Sequence, residues 1–167
     1  MRAQTKTIQG PKPLYTPSQR KRRDETIWTL VQGVLAPLQF LVFLISLALV
    51  LRYLFTGFGY EIAAFSIVLK TIVLLVIMVT GAIWEKVVFG QYLLAPAFFW
   101  EDVVSFFVIA LHLAYVWALF ANYLSEQQLM LLALTAYGVY LINAAQFVWK
   151  LRAARLQTVM EGEYEYA

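Results

Sequence analysis

Three acidic residues lie close together in an otherwise apolar part of the chain, and their type and spacing suit acid–base chemistry. Glu85, Glu101 and Asp102 all fall in the segment 83–105, IWEKVVFGQYLLAPAFFWEDVVS, with aromatic residues between and beside them. A carboxyl group can donate a proton to a substrate or accept one from it. A carboxylate is costly to bury in lipid, so such residues are either hydrated at the bilayer surface or kept there for function. These acids are therefore the first candidates for a catalytic site.

Each acid also has a structural interpretation. Asp102 follows the predicted start of a helix, where a negative charge stabilises the helix dipole, and we assign it that role. Glu85 stands next to Lys86, and a solvated ion pair explains it as well as a function does. Glu101 can likewise be an acid at headgroup level, but it is the best placed of the three for function, because His112 recurs on the same helix face about 16 Å further along the axis. The Glu101 face therefore continues toward the middle of the bilayer.

The other candidates are one histidine, several amides and two tryptophans. His112 is the single histidine of the chain, and its imidazole suits either a metal contact or a hydrogen-bonded packing role. Trp84 and Trp100 fit an interfacial aromatic belt or the wall of a pocket for a flat ring system. Amides inside a membrane more often join helices than contact a substrate, and this alternative applies to Gln32, Gln39, Asn143 and Gln146.

Composition and hydropathy require that these residues be positioned by membrane helices. Apolar residues make up 62% of the 167 residues and charged residues 14%. A membrane-crossing helix needs about 20 apolar residues, and four stretches meet that length: 29–55, 62–83, 97–121 and 129–151. We predict an all-α integral membrane protein, a four-helix transmembrane bundle over 29–151, with a basic segment 1–28 and a tail 152–167. Capping boxes at Thr16/Gln19 and Ser125/Gln128 predict helix starts.

The basic residues set the orientation. Arginines and lysines occupy positions 20–23 before the first span, Lys86 between the second and third, and Lys150 at the end of the fourth. The positive-inside rule therefore predicts that both termini are cytoplasmic, with a polar site open to that side. The net charge of +3 reflects this topology and contact with anionic lipid rather than nucleic-acid binding. Lys70 lies toward the other side, where we expect it to reach the membrane surface or pair with Glu61.

Four long motifs occur in a fixed order and identify a family. They are WTLVQGVLAP at 28–37, TGAIWEKVVFG at 80–90, APAFFWEDVVS at 95–105 and NAAQF at 143–147. With their flanking residues they closely resemble the 3-vinyl bacteriochlorophyllide hydratase family of bacteriochlorophyll biosynthesis, over nearly the whole chain. The resemblance implies a multi-pass enzyme of the bacterial inner membrane. It would hydrate the C3 vinyl group of chlorophyllide a or 3-vinyl bacteriochlorophyllide to a 1-hydroxyethyl group.

The resemblance also implies partners: a chlorin pigment as substrate, membrane lipid, and other enzymes of the same pathway. It does not separate this branch from a related one that leads to chlorosome pigments. A second hypothesis is a non-catalytic chlorin carrier or assembly protein that uses the same pocket. A third is a quinone- or haem-binding membrane subunit, which the single histidine disfavours. The absence of cysteine excludes disulfides, thiolate catalysis and iron–sulfur clusters.

Vinyl hydration assigns roles to the candidates. A carboxylic acid kept protonated by partial burial must protonate the terminal carbon, and a second group must hold the water that attacks the resulting cation. We assign Glu101 as the proton donor, and Glu85 as the alternative donor or water holder. No redox cofactor and no protein-bound metal are required, because magnesium arrives with the pigment.

The remaining candidates are assigned to the pigment. His112 would ligate or hydrogen-bond the magnesium. Gln32, Asn143 and Gln146 would form a polar wall that positions water or ring carbonyls, although direct bonding between helices is the favoured alternative for Asn143. Trp84 and Trp100 would flank the ring.

Overall fold

A computed structural model describes residues 13–165 of the chain, and side chains for residues 13–155. Over this range the chain forms five α-helices and no strand: α1 Pro17–Glu25, α2 Ile27–Thr56, α3 Tyr60–Phe89, α4 Phe99–Ala121 and α5 Glu126–Glu165. Four of them, α2 to α5, are long and apolar enough to cross a membrane. The predicted all-helical class and four spans are confirmed, while the predicted segments 1–28 and 152–167 extend beyond the described residues.

The predicted basic helical turn before the first span is a helix of its own. The Thr16 hydroxyl accepts from the backbone N–H of Gln19 at 3.3 Å, and the Gln19 side chain accepts from the N–H of Thr16 at 2.9 Å. Thr26 separates α1 from α2 in an extended conformation, with φ −81° and ψ 137°. The second predicted capping box is also present, at the start of α5. Both helix starts are therefore confirmed.

The helices on either side of the acidic segment differ from the predicted spans. α3 continues to Phe89 rather than ending at residue 83, so Lys86 lies in its last turn, just after Glu85, and not in the connection as predicted. It ends at Gly90, which has φ +89° and donates its N–H to the Lys86 carbonyl, an arrangement typical of helix C-termini. α4 begins at Phe99. The predicted span ended where charged residues interrupt the apolar stretch. Charged side chains do not break the backbone hydrogen bonds of a helix, so α3 continues past them.

The four spanning helices form two antiparallel hairpins. α2 packs on α3, and α4 packs on α5. Of the contacts that join the two hairpins, the one between α2 and α5 is the most extensive. α1 lies against α3. Arg22 fixes it there by donating from Nε and Nη2 to the Val88 carbonyl, at 3.0 and 2.7 Å. α1, the turn 90–98 and the start of α4 meet at one end of the bundle, which we call the charged end.

Lys70 contradicts the prediction that it reaches the membrane surface or pairs with Glu61. It is fully buried in the middle of the bundle, with Nζ 2.9 Å from His112 Nε2. Its ammonium lies 4.1, 5.1 and 5.9 Å from the ring centroids of Tyr140, Tyr137 and Phe43. Aromatic faces and an imidazole acceptor thus replace water around the lysine. The contact brings together side chains of all four spanning helices.

The Lys70–His112 contact predicts a coupling in stability. His112→Leu should lower the stability by about 1–3 kcal/mol, because Lys70 loses its acceptor in a dry interior. Lys70→Met should destabilise the wild type but have little further effect in the His112→Leu background. A double-mutant cycle, measured by thermal unfolding in detergent micelles, should give a coupling energy of about 0.5–3 kcal/mol. Strictly additive effects would contradict the contact.

Candidate functional site

An open cavity lies at the charged end, between the residues before α1, the start of α4 and α5. Its volume is about 370 Å³. Glu101, Gln146 and Lys150 form its polar lining, and Leu14, Trp149 and two alanines its apolar lining. This is at the small end of the range of about 300–1,000 Å³ for small-molecule sites. The cavity suits one edge of a flat apolar ligand that carries a reacting group.

An ion pair forms the polar side of the cavity. Lys150 Nζ lies 2.5 Å from Glu101 Oε2, donates to the Ala97 carbonyl, and sits 5.2 Å from the centroid of the Phe98 ring. Glu101 is only 6% exposed, so this pair is largely shielded from solvent. The Glu101–Lys150 pair was not predicted from the sequence, in which Lys150 indicated only orientation. The position of a lysine near the end of one span does not indicate that its side chain faces the start of another span.

The three predicted amides lie in different places. Gln32 donates to Thr80 Oγ1 at 2.8 Å, across the α2–α3 contact. Asn143 donates to the Glu101 carbonyl at 2.9 Å and accepts from Ser105 at 3.1 Å, across the α4–α5 contact. Both therefore join helices within a hairpin.

Gln146 is the one of the three amides that lines the cavity. Its buried Oε1 has no hydrogen-bond partner among the described residues. A buried acceptor without a protein partner suits a bound water or a ligand donor. This placement agrees with a role toward water or the pigment, and that role stays a prediction.

Glu85 and Asp102 form a carboxyl pair next to the cavity residues. Both side chains are buried, at 5% and 4% exposed, and they accept from adjacent backbone N–H groups, which places the two carboxyl groups side by side. The Ala95 N–H donates to Glu85 Oε2 at 3.2 Å, and the Leu94 N–H donates to Asp102 Oδ2 at 2.6 Å. Asp102 thus does more than stabilise the α4 dipole, the role assigned from the sequence. One indication of this pair is present in the sequence, because only a short connection separates the helix end that carries Glu85 from the helix start that carries Asp102.

The carboxyl pair holds a strained turn. Leu94 has φ +58°, a left-handed conformation that costs a non-glycine residue about 1–2 kcal/mol. Its N–H is the one that Asp102 accepts. Backbone strain of this kind concentrates at functional sites, where the surrounding structure must maintain it.

The two predicted tryptophans have different surroundings. Trp84 donates to Thr29 Oγ1 at 2.9 Å and packs edge-on against Phe89 and Phe98 inside the bundle. Trp100 is 69% exposed on the outer surface. Neither is among the residues that line the cavity, where the aromatic side chain is that of Trp149.

His112 lies in the middle of the bundle rather than at the cavity. Nδ1 donates to the Val108 carbonyl at 2.7 Å, which leaves the Nε2 lone pair to accept from Lys70. Both ring nitrogens thus have protein partners. A contact with magnesium stays a prediction, and it requires Lys70 to release Nε2.

Comparison with known proteins decides the family. The profile of the family described as 2-vinyl bacteriochlorophyllide hydratase matches residues 15–153. The chain belongs to this family. The 2-vinyl bacteriochlorophyllide hydratase of Rhodobacter capsulatus is 67% identical over 150 residues, which cover 90% of this chain and 87% of that protein. The protein of the same name from Cereibacter sphaeroides is 70% identical over 143 residues, covering 86% and 89%. No solved structure matches the chain.

The resemblance seen in the sequence motifs is thereby confirmed. The matched range of the hydratase family includes the ion pair, the carboxyl pair and Gln146. The family therefore covers the charged end as well as the four spans.

Two neighbouring amides on α5 should respond differently to the same substitution. Asn143→Leu should lower thermal stability, by about 1–3 kcal/mol, because the Glu101 carbonyl and Ser105 lose their partner. Gln146→Leu should leave stability nearly unchanged, because its acceptor has no protein partner to lose. Thermal unfolding of both variants in the same detergent tests this. Equal destabilisation would show that Gln146 also holds helices together.

Proposed function

We propose that the chain is a hydratase that adds water across the vinyl group of a bacteriochlorophyllide, giving a 1-hydroxyethyl group. Family membership over residues 15–153 supports the reaction class. The observation that carries the proposal is the buried Glu101–Lys150 pair in an open cavity of an otherwise apolar bundle. It combines a proton-transfer group with apolar walls, as addition of water to a hydrophobic pigment requires.

The cavity suits the vinyl-bearing edge of the pigment. Trp149 is 80% exposed beside it and extends the apolar wall toward the lipid. Small alanine side chains on the same wall permit close approach of a planar ring. The remainder of the macrocycle would lie against this outer surface and the lipid, so the protein needs to enclose only the reacting group.

Glu101 and Gln146 are proposed to handle the water. Lys150 occupies Oε2 of Glu101, which leaves Oε1 for a water molecule, and Gln146 Oε1 supplies a second acceptor. In the ion pair Glu101 is a carboxylate, so the geometry favours it as acceptor of the proton that the attacking water loses. The donor role assigned to it from the sequence requires it to leave the ion pair first.

Orientation and location extend the proposal. The basic residues of α1 and Lys150 lie at the charged end, so this end would face the cytoplasm and the protein would reside in the bacterial inner membrane. A carboxylate on the pigment periphery would then stay near the basic surface while the ring lies in lipid. No protein-bound metal or redox cofactor takes part in this reaction, since magnesium belongs to the pigment.

Glu101→Gln should abolish most of the turnover. The amide keeps the shape of the side chain but cannot take up the proton, so the rate should fall about 10²–10⁴-fold. The assay follows loss of the vinyl pigment and appearance of the hydroxyethyl product by absorbance and chromatography. Glu25→Gln, at an exposed acid of α1, is the matched control and should keep full activity. Stoichiometric pigment binding by the wild type without turnover would favour the carrier hypothesis.

The magnesium contact of His112 can be tested with two pigments. If Nε2 binds magnesium, His112→Ala should weaken binding of the magnesium pigment by a larger factor than binding of its magnesium-free analogue. Fluorescence quenching titrations of wild type and variant give both dissociation constants. Equal loss for the two pigments would remove His112 from the substrate site.

A further inference from the structure

We infer that Glu85 and Asp102 share one proton and together act as the donor that protonates the vinyl group. The inference rests on the proposed function, and it adds Asp102 to the site. From the sequence, Asp102 was assigned only to the helix dipole, and Glu85 was the alternative proton donor or water holder. The observation that carries it is that two buried carboxyl groups from different helices accept from adjacent N–H groups of one turn, those of Ala95 and Leu94.

Two carboxyl groups in contact require a proton between them. Two adjacent carboxylates repel each other, most strongly where water is excluded, and such pairs retain one proton between them. A basic partner would be the alternative, and the charge of Lys150 does act on Asp102, but the nearby cations make their hydrogen bonds elsewhere. Lys150 binds Glu101, Lys86 donates to the Gly90 carbonyl, and Arg22 donates to the Val88 carbonyl. Among the described residues, no ion pair joins a cation to Glu85 or Asp102.

The backbone contacts indicate which group carries the proton. The Leu94 N–H donates to Asp102 at 2.6 Å, whereas the Ala95 N–H donates to Glu85 at a longer 3.2 Å. Charge-assisted hydrogen bonds are the shorter ones. Asp102 is thus the carboxylate, and Glu85 bears the proton and donates it to Asp102 in the resting pair. Asp102 is a positioning residue that acts through Glu85.

The pair and Glu101 together complete a balanced hydration. Glu85 gives its proton to the terminal vinyl carbon, where a C–H bond forms as the C=C π bond breaks. The oxygen of water then bonds to the inner carbon, and the surplus proton passes to the Glu101 carboxylate. Glu101 returns that proton to the pair, which is adjacent through Asp102 in the first turn of α4. One water is consumed and the protein is unchanged.

Glu85→Gln is the sharpest test, because the glutamine amide can keep both hydrogen bonds. Its NH₂ donates to Asp102 and its carbonyl accepts from Ala95, so the turn should be preserved while the proton is lost. Turnover should fall about 10²–10⁴-fold with unchanged thermal stability. Glu61→Gln, at an exposed position near the other end of α3, is the matched control and should keep wild-type turnover.

Infrared spectroscopy detects the proton independently of activity. At neutral pH the wild type should show the C=O stretch of a protonated carboxyl, sensitive to deuterium exchange. Glu85→Gln should lack this band, Asp102→Asn should shift it because the acceptor changes, and Glu61→Gln should retain it. Turnover without the band, or turnover that survives Glu85→Gln, would overturn the inference. A wild type that shows the band but does not hydrate the pigment would instead overturn the proposed function.

Discussion

The structure depends on one constraint: a polar side chain buried in a bilayer is costly unless the protein supplies a partner for it. The middle of the bundle shows how this is met. Lys70 has an imidazole acceptor and three aromatic faces, and Ser46 bonds to both Ser66 and Tyr137, at 2.7 and 2.5 Å. Each of these contacts joins different helices. Because a displaced helix would leave a buried polar group unpaired, the contacts fix the register of the two hairpins as well as satisfying the groups.

The same constraint explains why the proposed chemistry lies at one end. At the charged end, the polar groups bind backbone groups of the turn 90–98 and one another. Lys150 holds Ala97, while the carboxyl pair holds Leu94 and Ala95. The turn is thus kept in a strained conformation by the acids proposed to carry out proton transfer. Structural support and the proposed catalysis therefore depend on one set of contacts.

Features that depend on neighbouring residues in the chain could be predicted from the sequence, whereas contacts between helices could not. Hydropathy and capping boxes depend on neighbours in the chain, and they predicted four spans and both cap positions. Periodicity also placed His112 deep in its span and on the same helix face as Glu101. It could not tell which helix faces each residue, so it missed the contacts of Lys70 with His112, Lys150 with Glu101, and Asp102 with Glu85. Those contacts distinguish the ion-paired carboxyl of Glu101 from the two carboxyls that lie side by side.

That difference separates the two proton-transfer roles in a way that residue type alone does not. Glu101 and Glu85 are both buried glutamates at the same end of the bundle, with nearly equal exposure. One faces an ammonium and the other a carboxyl, so one environment stabilises a negative charge and the other retains a proton. An acid and a base can then operate side by side at one pH. Since lipid can cover the rest of the pigment, the proposed reaction needs the protein to supply little more than these two environments.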